Sequence, residues 1–376
     1  MKRFLILILS FFCLVNCTNV NKQKIFAEEE NLSSAKAYCV CEVKSGRILY
    51  EKNGDLKLPE ASLTKIITAI VAIENNPDLE KVVEISKEAV GVPGSSIYLN
   101  KGEKLKIIDL LYGLMLRSGN DSAVALAIAT SGSVDKFIDL CNDFCERIGP
   151  TNTHLVTPHG LHDDDHFTTA NDLAKITSYA LSNSIFRKIV STKQITIPNT
   201  IKGENRLLVN KNKLLKKMPD STGVKTGFTT QAGRCFVGSA KRREMELVCV
   251  LLNCNPMFED CEKLLEKGFS EFEMVDLIEP YLTKEVALNN SEEKYLKVYS
   301  KRGFSYPLKN EEKTNVNIEI DLPNSLTAPL KRNQVVGEIR VSLAKKLIFS
   351  ENLYSIKEVE ANDYFSNIQK ILEGLI

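Results

Sequence analysis

A serine stands three residues ahead of a lysine in Ser62-Leu63-Thr64-Lys65, at the head of an apolar run that ends at Ile73. Residues three apart share one face of a helix, so the lysine amine can reach the serine hydroxyl. A serine hydroxyl is a weak nucleophile until a base takes its proton. An ordinary lysine is protonated near neutral pH and is no base, but burial and a second nearby cation both favour its neutral form. The pattern alone specifies little, because four more S-x-x-K matches start at Ser33, Ser133, Ser291 and Ser342. Two later segments set Ser62 apart: Ser118-Gly119-Asn120, 56 residues on, and Lys225-Thr226-Gly227, a further 107 residues on.

Taken as one site, the three segments describe acyl transfer. Ser62 is the candidate nucleophile and Lys65 its base, acting directly or through Ser118. Lys225 is the second cation. Asn120 can hydrogen-bond a substrate amide, and Thr226 with Lys225 can hold a carboxylate. Gly227 has no side chain, which leaves room for a substrate backbone against its strand. The backbone N–H groups of Ser62 and Phe228 are candidates for an oxyanion hole. Each piece also has a plain structural explanation: a helix cap, a solvated lysine, a turn. Their joint order and context favour a site, and three ordered motifs of this kind mark penicillin-interacting serine enzymes.

The elements that must carry these residues are legible in outline. Ala37 to Val43 and Arg47 to Glu51 form two strands around Lys44-Ser45-Gly46. Pro59-Glu60-Ala61 ends the extended run and starts the Ser62 helix, which is apolar almost all round and therefore central and buried. A short strand is expected at Val82 to Ile85, and helices over Leu105 to Leu116, Asp121 to Ala129, Lys136 to Ile148 and Leu173 to Leu181, the last capped from Thr169. After the Lys225 segment come two strands, Arg234 to Ala240 and Glu246 to Leu252, then a helix over Asp260 to Phe272. Beyond about residue 275 the pattern changes to period 2, which marks a small β-rich domain.

Composition narrows the function. A net charge of +1 with 26% charged residues lacks the basic excess of a nucleic-acid binder, so no nucleic acid is expected. Lys2, Arg3 and the apolar run Phe4 to Val15 read as an export signal over residues 1–27, with Cys17 as a second candidate for lipid attachment. Those residues carry four positive and no negative side chains, so their removal leaves a net charge of about −3. Residues 28–36 read as a flexible lead-in. The eight cysteines left in the exported chain, such as Cys39 and Cys41 on one strand face, read as small buried apolar residues. All four histidines lie between His154 and His166 beside Asp163, Asp164 and Asp165, but Pro158 and Gly160 make this a loop, and neither metal nor organic cofactor is expected. The lysines of 211–217 read as a solvated face. The last residues, 361–376, form an amphipathic helix suited to a membrane surface or to a protein surface.

The sequence resembles the D-alanyl-D-alanine carboxypeptidases, the low-molecular-mass penicillin-binding proteins. The likeness spans roughly residues 30–275, and the β-rich tail more loosely. It rests on Ala61-Ser62-Leu63-Thr64-Lys65, Ser118-Gly119-Asn120-Asp121, Thr157-Pro158-His159-Gly160-Leu161, and His166-Phe167-Thr168-Thr169-Ala170 leading to Asp172-Leu173-Ala174. Lys225-Thr226-Gly227-Phe228-Thr229 with Ala232-Gly233, and Lys263-Leu264-Leu265 before Gly268-Phe269, complete it. The resemblance implies an α/β (α+β) penicillin-binding, β-lactamase-like transpeptidase fold. Its antiparallel five-stranded sheet would be flanked by helices, with the Ser62 helix at the centre and an all-β domain at the C-terminus. Four segments follow: a signal over 1–27, a carboxypeptidase domain over 28–275, a β-rich domain over 276–360 and a terminal helix over 361–376.

The resemblance also implies removal of the terminal D-alanine from peptidoglycan stem peptides through an acyl-Ser62 intermediate, with β-lactam antibiotics as covalent inhibitors. One departure stands out. Where the family often carries an arginine for the substrate carboxylate, this chain has Met257. Arg234 stands where a bulky apolar residue is usual and is the candidate replacement. The competing readings are a D,D-endopeptidase on wall cross-links, a β-lactamase, and an inert wall-peptide-binding protein. No glutamate loop matches the deacylating base a β-lactamase would need, and a pure binder has no use for a nucleophile with its base.

Overall fold

The computed structural model describes residues 32–362. The expected export signal and all but the first two residues of the expected C-terminal helix lie outside the described residues. The chain opens with a hairpin of β1 (Ala37–Glu42) and β2 (Ile48–Lys52), then a 3-10 turn, Ala61–Thr64, that runs into α1 (Lys65–Glu74). A small hairpin of β3 (Val82–Glu84) and β4 (Lys104–Lys106) precedes α2 (Ile107–Arg117), α3 (Asn120–Ser131) and α4 (Val134–Ile148). A long loop leads to α5 (Ala170–Ser182) and α6 (Ser184–Ser191), followed by the hairpin β5 (Gln194–Asn199) and β6 (Glu204–Val209) and the single turn α7 (Leu214–Lys217). Strands β7 (Ser221–Thr229), β8 (Gly233–Arg242) and β9 (Met245–Leu252) then return to the first sheet, and α8 (Met257–Glu271) covers it.

The main sheet is antiparallel throughout, in the order β2-β1-β9-β8-β7. Its central strand explains the layering. In β9, Val248, Val250 and Leu252 point into the helical core, while Leu247 meets Gly268 of α8 on the other face. Successive residues of a strand face opposite ways, so a strand covered on both sides reads as a continuous apolar run, as Met245–Leu252 does. Helix α1 is the hub of the helical layer. Every residue from Lys65 to Ile73 is buried. A helix that is apolar all round has no other stable place.

Residues 33–36 correct the expectation of a flexible lead-in. Ser33 and Ala35 are buried, the Ser33 hydroxyl donates to Asp260 at 2.8 Å, and Lys36 N–H donates to the Leu252 carbonyl. The segment extends β1 and is tied to the start of α8. The eight described cysteines are buried free thiols. Burial pushes the Cys145 and Cys235 thiols up to about 12, which suits packing rather than reactivity.

After α8 the chain is β-rich. Strands β10 (Glu273–Ile278) and β13 (Phe304–Leu308) pair with each other. A six-stranded sheet follows the order β14 (Val316–Asp321), β16 (Val335–Leu343), β17 (Lys346–Ser355), β12 (Tyr295–Ser300), β11 (Thr283–Asn289) and β15 (Ser325–Thr327). Arg47, in the turn between β1 and β2, joins this part to the first sheet. Its guanidinium donates to the Pro307 carbonyl, pairs with Glu312 and lies 5.1 Å from the ring centroids of both Phe272 and Tyr306.

The Ser62 turn is strained and held from outside. Ala61 has φ of 52°, a left-handed conformation unusual for a residue with a side chain. Gly160, at φ +82°, presses against it: a Cβ there would lie 1.9 Å from the Ala61 carbonyl oxygen. Gly160→Ala is therefore expected to cost about 3 kcal/mol of stability in urea unfolding. Gly203, also left-handed but with nothing within 4 Å of such a Cβ, should lose only about 1 kcal/mol on the same change. Equal losses would show that the loop does not brace the turn.

Candidate active site

Four elements converge on one amine. Lys65 opens α1, and its Nζ donates to Ser62 Oγ at 3.0 Å, to Asn120 Oδ1 at 2.7 Å and to the His159 carbonyl at 2.7 Å. Those acceptors come from the 3-10 turn, the first residue of α3 and the loop before α5. All three are uncharged. Lys65 is 0% exposed, and burial first, then the Lys225 and Lys211 ammonium groups, hold its pKa well below the usual lysine range. Asp121 opposes the shift, but its carboxylate is engaged by the Ser96 hydroxyl and the Ile97 and Leu99 N–H groups.

Ser118 ends α2 in a left-handed conformation with φ of 63°, which turns the chain so that α3 starts at Asn120. Its hydroxyl accepts from Lys225 Nζ at 3.1 Å. Lys225 also donates to the Thr226 carbonyl at 2.7 Å, and burial, then Lys211, pulls its pKa down to about 7. Of the two routes considered for the Ser62 proton, the direct one has the contact: Lys65 meets Ser62, while Ser118 is bound to the other lysine. Asn120 is fixed on both sides, since its Nδ2 donates to the Pro93 carbonyl at 2.6 Å and its backbone N–H to the Ser95 carbonyl at 2.7 Å.

Gly227 has a different reason to be glycine from the one expected. On β7 it lies against the 3-10 turn: a Cβ there would stand 3.0 Å from the Glu60 carbonyl, 3.2 Å from Ser62 N and 3.3 Å from Leu63 N. The missing side chain lets the sheet approach the serine turn. Thr226 is half-buried on the opposite face of β7 from Lys225. Phe228 shares that face and is exposed, and its cross-strand partner is Arg234, whose guanidinium lies 5.9 Å from the Phe228 ring centroid. Met257, the first residue of α8, is buried.

Other S-x-x-K serines have structural posts: Ser33 binds Asp260, and Ser133 caps α4 by accepting from Lys136 N–H. Among the described residues no group of three metal-ligating side chains converges. The histidine loop is instead a brace. His166 Nδ1 accepts the Val156 N–H at 3.0 Å, so its Nε2 carries the proton that faces Glu60 Oε1, 3.0 Å away. The Thr64 hydroxyl touches both. The Thr68 hydroxyl donates to the Pro158 carbonyl at 2.6 Å, which pins the same loop to α1. Burial, then Lys65, lowers the His159 imidazole to about 3.

Sequence reasoning missed Glu60, His166, the His159 carbonyl, Ser95 and Lys211. An acidic residue two places before the nucleophile, at the entry to an all-apolar helix, was the available signal for Glu60. Nothing local marks a main-chain carbonyl as a lysine acceptor. The lysine stretch 211–217 is on the surface as expected at both ends: Lys217 pairs with Glu262, and the exposed Lys211 reaches Ser95 Oγ at 3.0 Å.

Comparison with known proteins decides the family. Residues 24–255 match the family model described as D-alanyl-D-alanine carboxypeptidase. The chain belongs to this family. It is a serine D-alanyl-D-alanine carboxypeptidase, a hydrolase of the penicillin-binding group. Residues 272–361 match the C-terminal domain of penicillin-binding protein 5. The chain is 34% identical to D-alanyl-D-alanine carboxypeptidase DacC of Escherichia coli over 91% of this chain and 90% of that protein. It is 30% identical to DacF of Bacillus subtilis over 81% of this chain and 80% of that protein. Penicillin-binding protein 5 from Haemophilus influenzae superposes with a TM-score of 0.75 at 29% identity, covering 87% of this chain and 98% of that one. The Streptomyces K15 DD-transpeptidase gives a TM-score of 0.60 at 32% identity over 63% of this chain and 98% of that one. The antiparallel sheet with flanking helices and the all-β C-terminal part are thus those of a family carboxypeptidase.

The buried Glu60–His166 contact in this carboxypeptidase is testable. Glu60 Oε2 has no hydrogen-bond partner among the described residues, so the carboxylate depends on the one oxygen that His166 and Thr64 serve. His166→Ala is expected to cost about 3 kcal/mol in urea unfolding, by stranding a buried carboxylate. Adding Glu60→Ala should cost little more than either change alone. Fully additive losses would show that the two side chains act independently.

Proposed function

We propose that Ser62 is the acylating nucleophile for a D-alanyl-D-alanine stem peptide and that Lys65 is its base. The carrying observation is the 3.0 Å contact between Lys65 Nζ and Ser62 Oγ, made by an amine with no carboxylate partner in the site. Neutral Lys65 takes the Ser62 proton as Oγ bonds to the carbonyl carbon of the penultimate D-alanine. The oxyanion is held by the N–H groups of Ser62 and Phe228. The C–N bond breaks, Lys65 returns the proton to the departing D-alanine amine, and the acyl-Ser62 ester remains. Water then cleaves the ester, with Lys65 again accepting the proton. A β-lactam acylates the same oxygen when its ring amide opens. Asn120 orients the substrate amide. Ser118 fixes Lys225 and so keeps the second cation beside the first.

The substrate carboxylate is bound by Thr226 and Arg234 on one face, and Lys225 adds positive charge from the other face of β7. Arg234 shares the face of Thr226 and Phe228, which supports its role as the replacement cation. Residues 28–275 form the carboxypeptidase domain and 276–360 the β-rich domain. The protein works outside the cytoplasm on peptidoglycan, after export through residues 1–27.

Mass spectrometry with a labelled penicillin should find one adduct, on Ser62, and none on Ser62→Ala. No adduct on folded wild-type protein would overturn the assignment. Arg234→Ala should raise KM for a stem pentapeptide about tenfold, the worth of one charge-assisted hydrogen bond, and change penicillin acylation much less. An unchanged peptidase KM would remove Arg234 from the carboxylate site. Acylation should fall on the acid side as Lys65 takes a proton. KM should rise as pH climbs through about 7, where Lys225 loses the charge that attracts the carboxylate.

A further inference from the structure

Lys211, though exposed, ties two parts of the site together. Its Nζ donates to Ser95 Oγ at 3.0 Å, and its backbone N–H donates to the Leu116 carbonyl at 3.1 Å. Ser95 accepts the Asn120 N–H through its carbonyl, and Asn120 Oδ1 accepts from Lys65 Nζ. On one side, therefore, Lys211 stands two hydrogen-bonded residues from Lys65. On the other it is joined to the end of α2, two residues before the Ser118 hydroxyl that binds Lys225.

We propose that Lys211 is a positioning residue of the active site, which holds the loop at residues 93–96 on Asn120 and brings a third positive charge to the Lys65 and Lys225 pair. The inference rests on the reading of Lys65 as the base for Ser62. A nearby cation favours the neutral form of a lysine, and burial does the same. Burial leads the downward shift of both lysines, and the Lys211 charge adds to each. Lys211 is itself lowered by partial burial and by Arg117 at the end of α2.

The other groups around the pair do not replace it. Asp121 on α3 acts in the opposite direction on Lys65, and its carboxylate is held by Ser96 and the backbone of Ile97 and Leu99. The His159 imidazole, from the loop, has its basicity depressed by burial and by Lys65. Glu60, on the serine turn, is bound to Thr64 and His166. Lys211 is thus the cation outside the Lys65–Lys225 pair that is linked to both through Ser95–Asn120 and through the end of α2.

The test compares Lys211→Met, which keeps the aliphatic stem, with Lys211→Arg, which keeps the charge. Penicillin acylation of Ser62 is timed from about pH 5 to about pH 9. Lys211→Met should move the acid limb upward by roughly half a unit to one unit, slowing acylation about three- to tenfold near pH 6 and recovering at high pH. Lys211→Arg should restore the limb. A loss that is the same at every pH, or no loss at all, would overturn the proposal. Should Lys211→Met fail to fold, Lys211→Gln, which keeps a polar end for Ser95, carries the same test. Absence of any wild-type adduct would instead overturn the Ser62 and Lys65 assignment.

Discussion

The structure is arranged to keep one lysine amine dry and unpaired by any acid. Lys65 sits at the start of a helix whose next eight residues are all buried, and its three acceptors are a hydroxyl, an amide oxygen and a main-chain carbonyl. Neutral acceptors satisfy its donors without stabilising its charge as a carboxylate would. A buried cation without a counter-ion is costly, and the group escapes by giving up its proton. That cost has to be offset by the packing of α1 against the rest of the helical core. The three acceptors arrive from separate regions of the chain, so the amine forms only when the helical layer is assembled.

The acid nearest in sequence to Asn120 is used in a way that protects this state. Asp121 could neutralise a lysine, yet its oxygens accept from Ser96, Ile97 and Leu99. It organises the loop that in turn holds Asn120. Glu60 is likewise buried within two residues of Ser62 but faces Thr64 and His166. Both carboxylates do structural work at the edge of the site, and each is held away from the lysines by its own hydrogen bonds. The strained Ala61 turn follows from the same arrangement, because it presents Ser62 while β7 and the Gly160 loop press on it from two sides.

Much of this was legible in the sequence, for identifiable reasons. The Ser62 helix, the break at Ser118 and the strands on either side of residue 243 rest on local signals: apolar period, turn chemistry and alternation. The three motifs carry their own spacing. The misreadings share one physical cause, contacts between residues far apart in the chain. Residues 33–36 look like a polar lead-in until Asp260 and Leu252 are placed beside them. Lys211 is exposed like the other lysines of its run, and only the placement of Ser95 beside it shows that it touches the site. The Gly227 requirement comes from a close approach to the Glu60–Leu63 backbone that no property of β7 itself encodes.

The same geometry explains why the site suits an anionic peptide end. Lys65, Lys225 and Lys211 bring excess positive charge into a region from which the local carboxylates have been diverted. When the Lys65–Lys225 pair shares a single proton between two amines, the charge held on Lys225 is buried beside Ser118, without an acid among its hydrogen-bond partners. A substrate ending in a carboxylate supplies the counter-ion that the protein withholds. Under the proposed roles, a carboxylate that stabilises the Lys225 ammonium keeps the shared proton on Lys225 and leaves Lys65 neutral. On that reading, substrate binding and activation of the base are one electrostatic event.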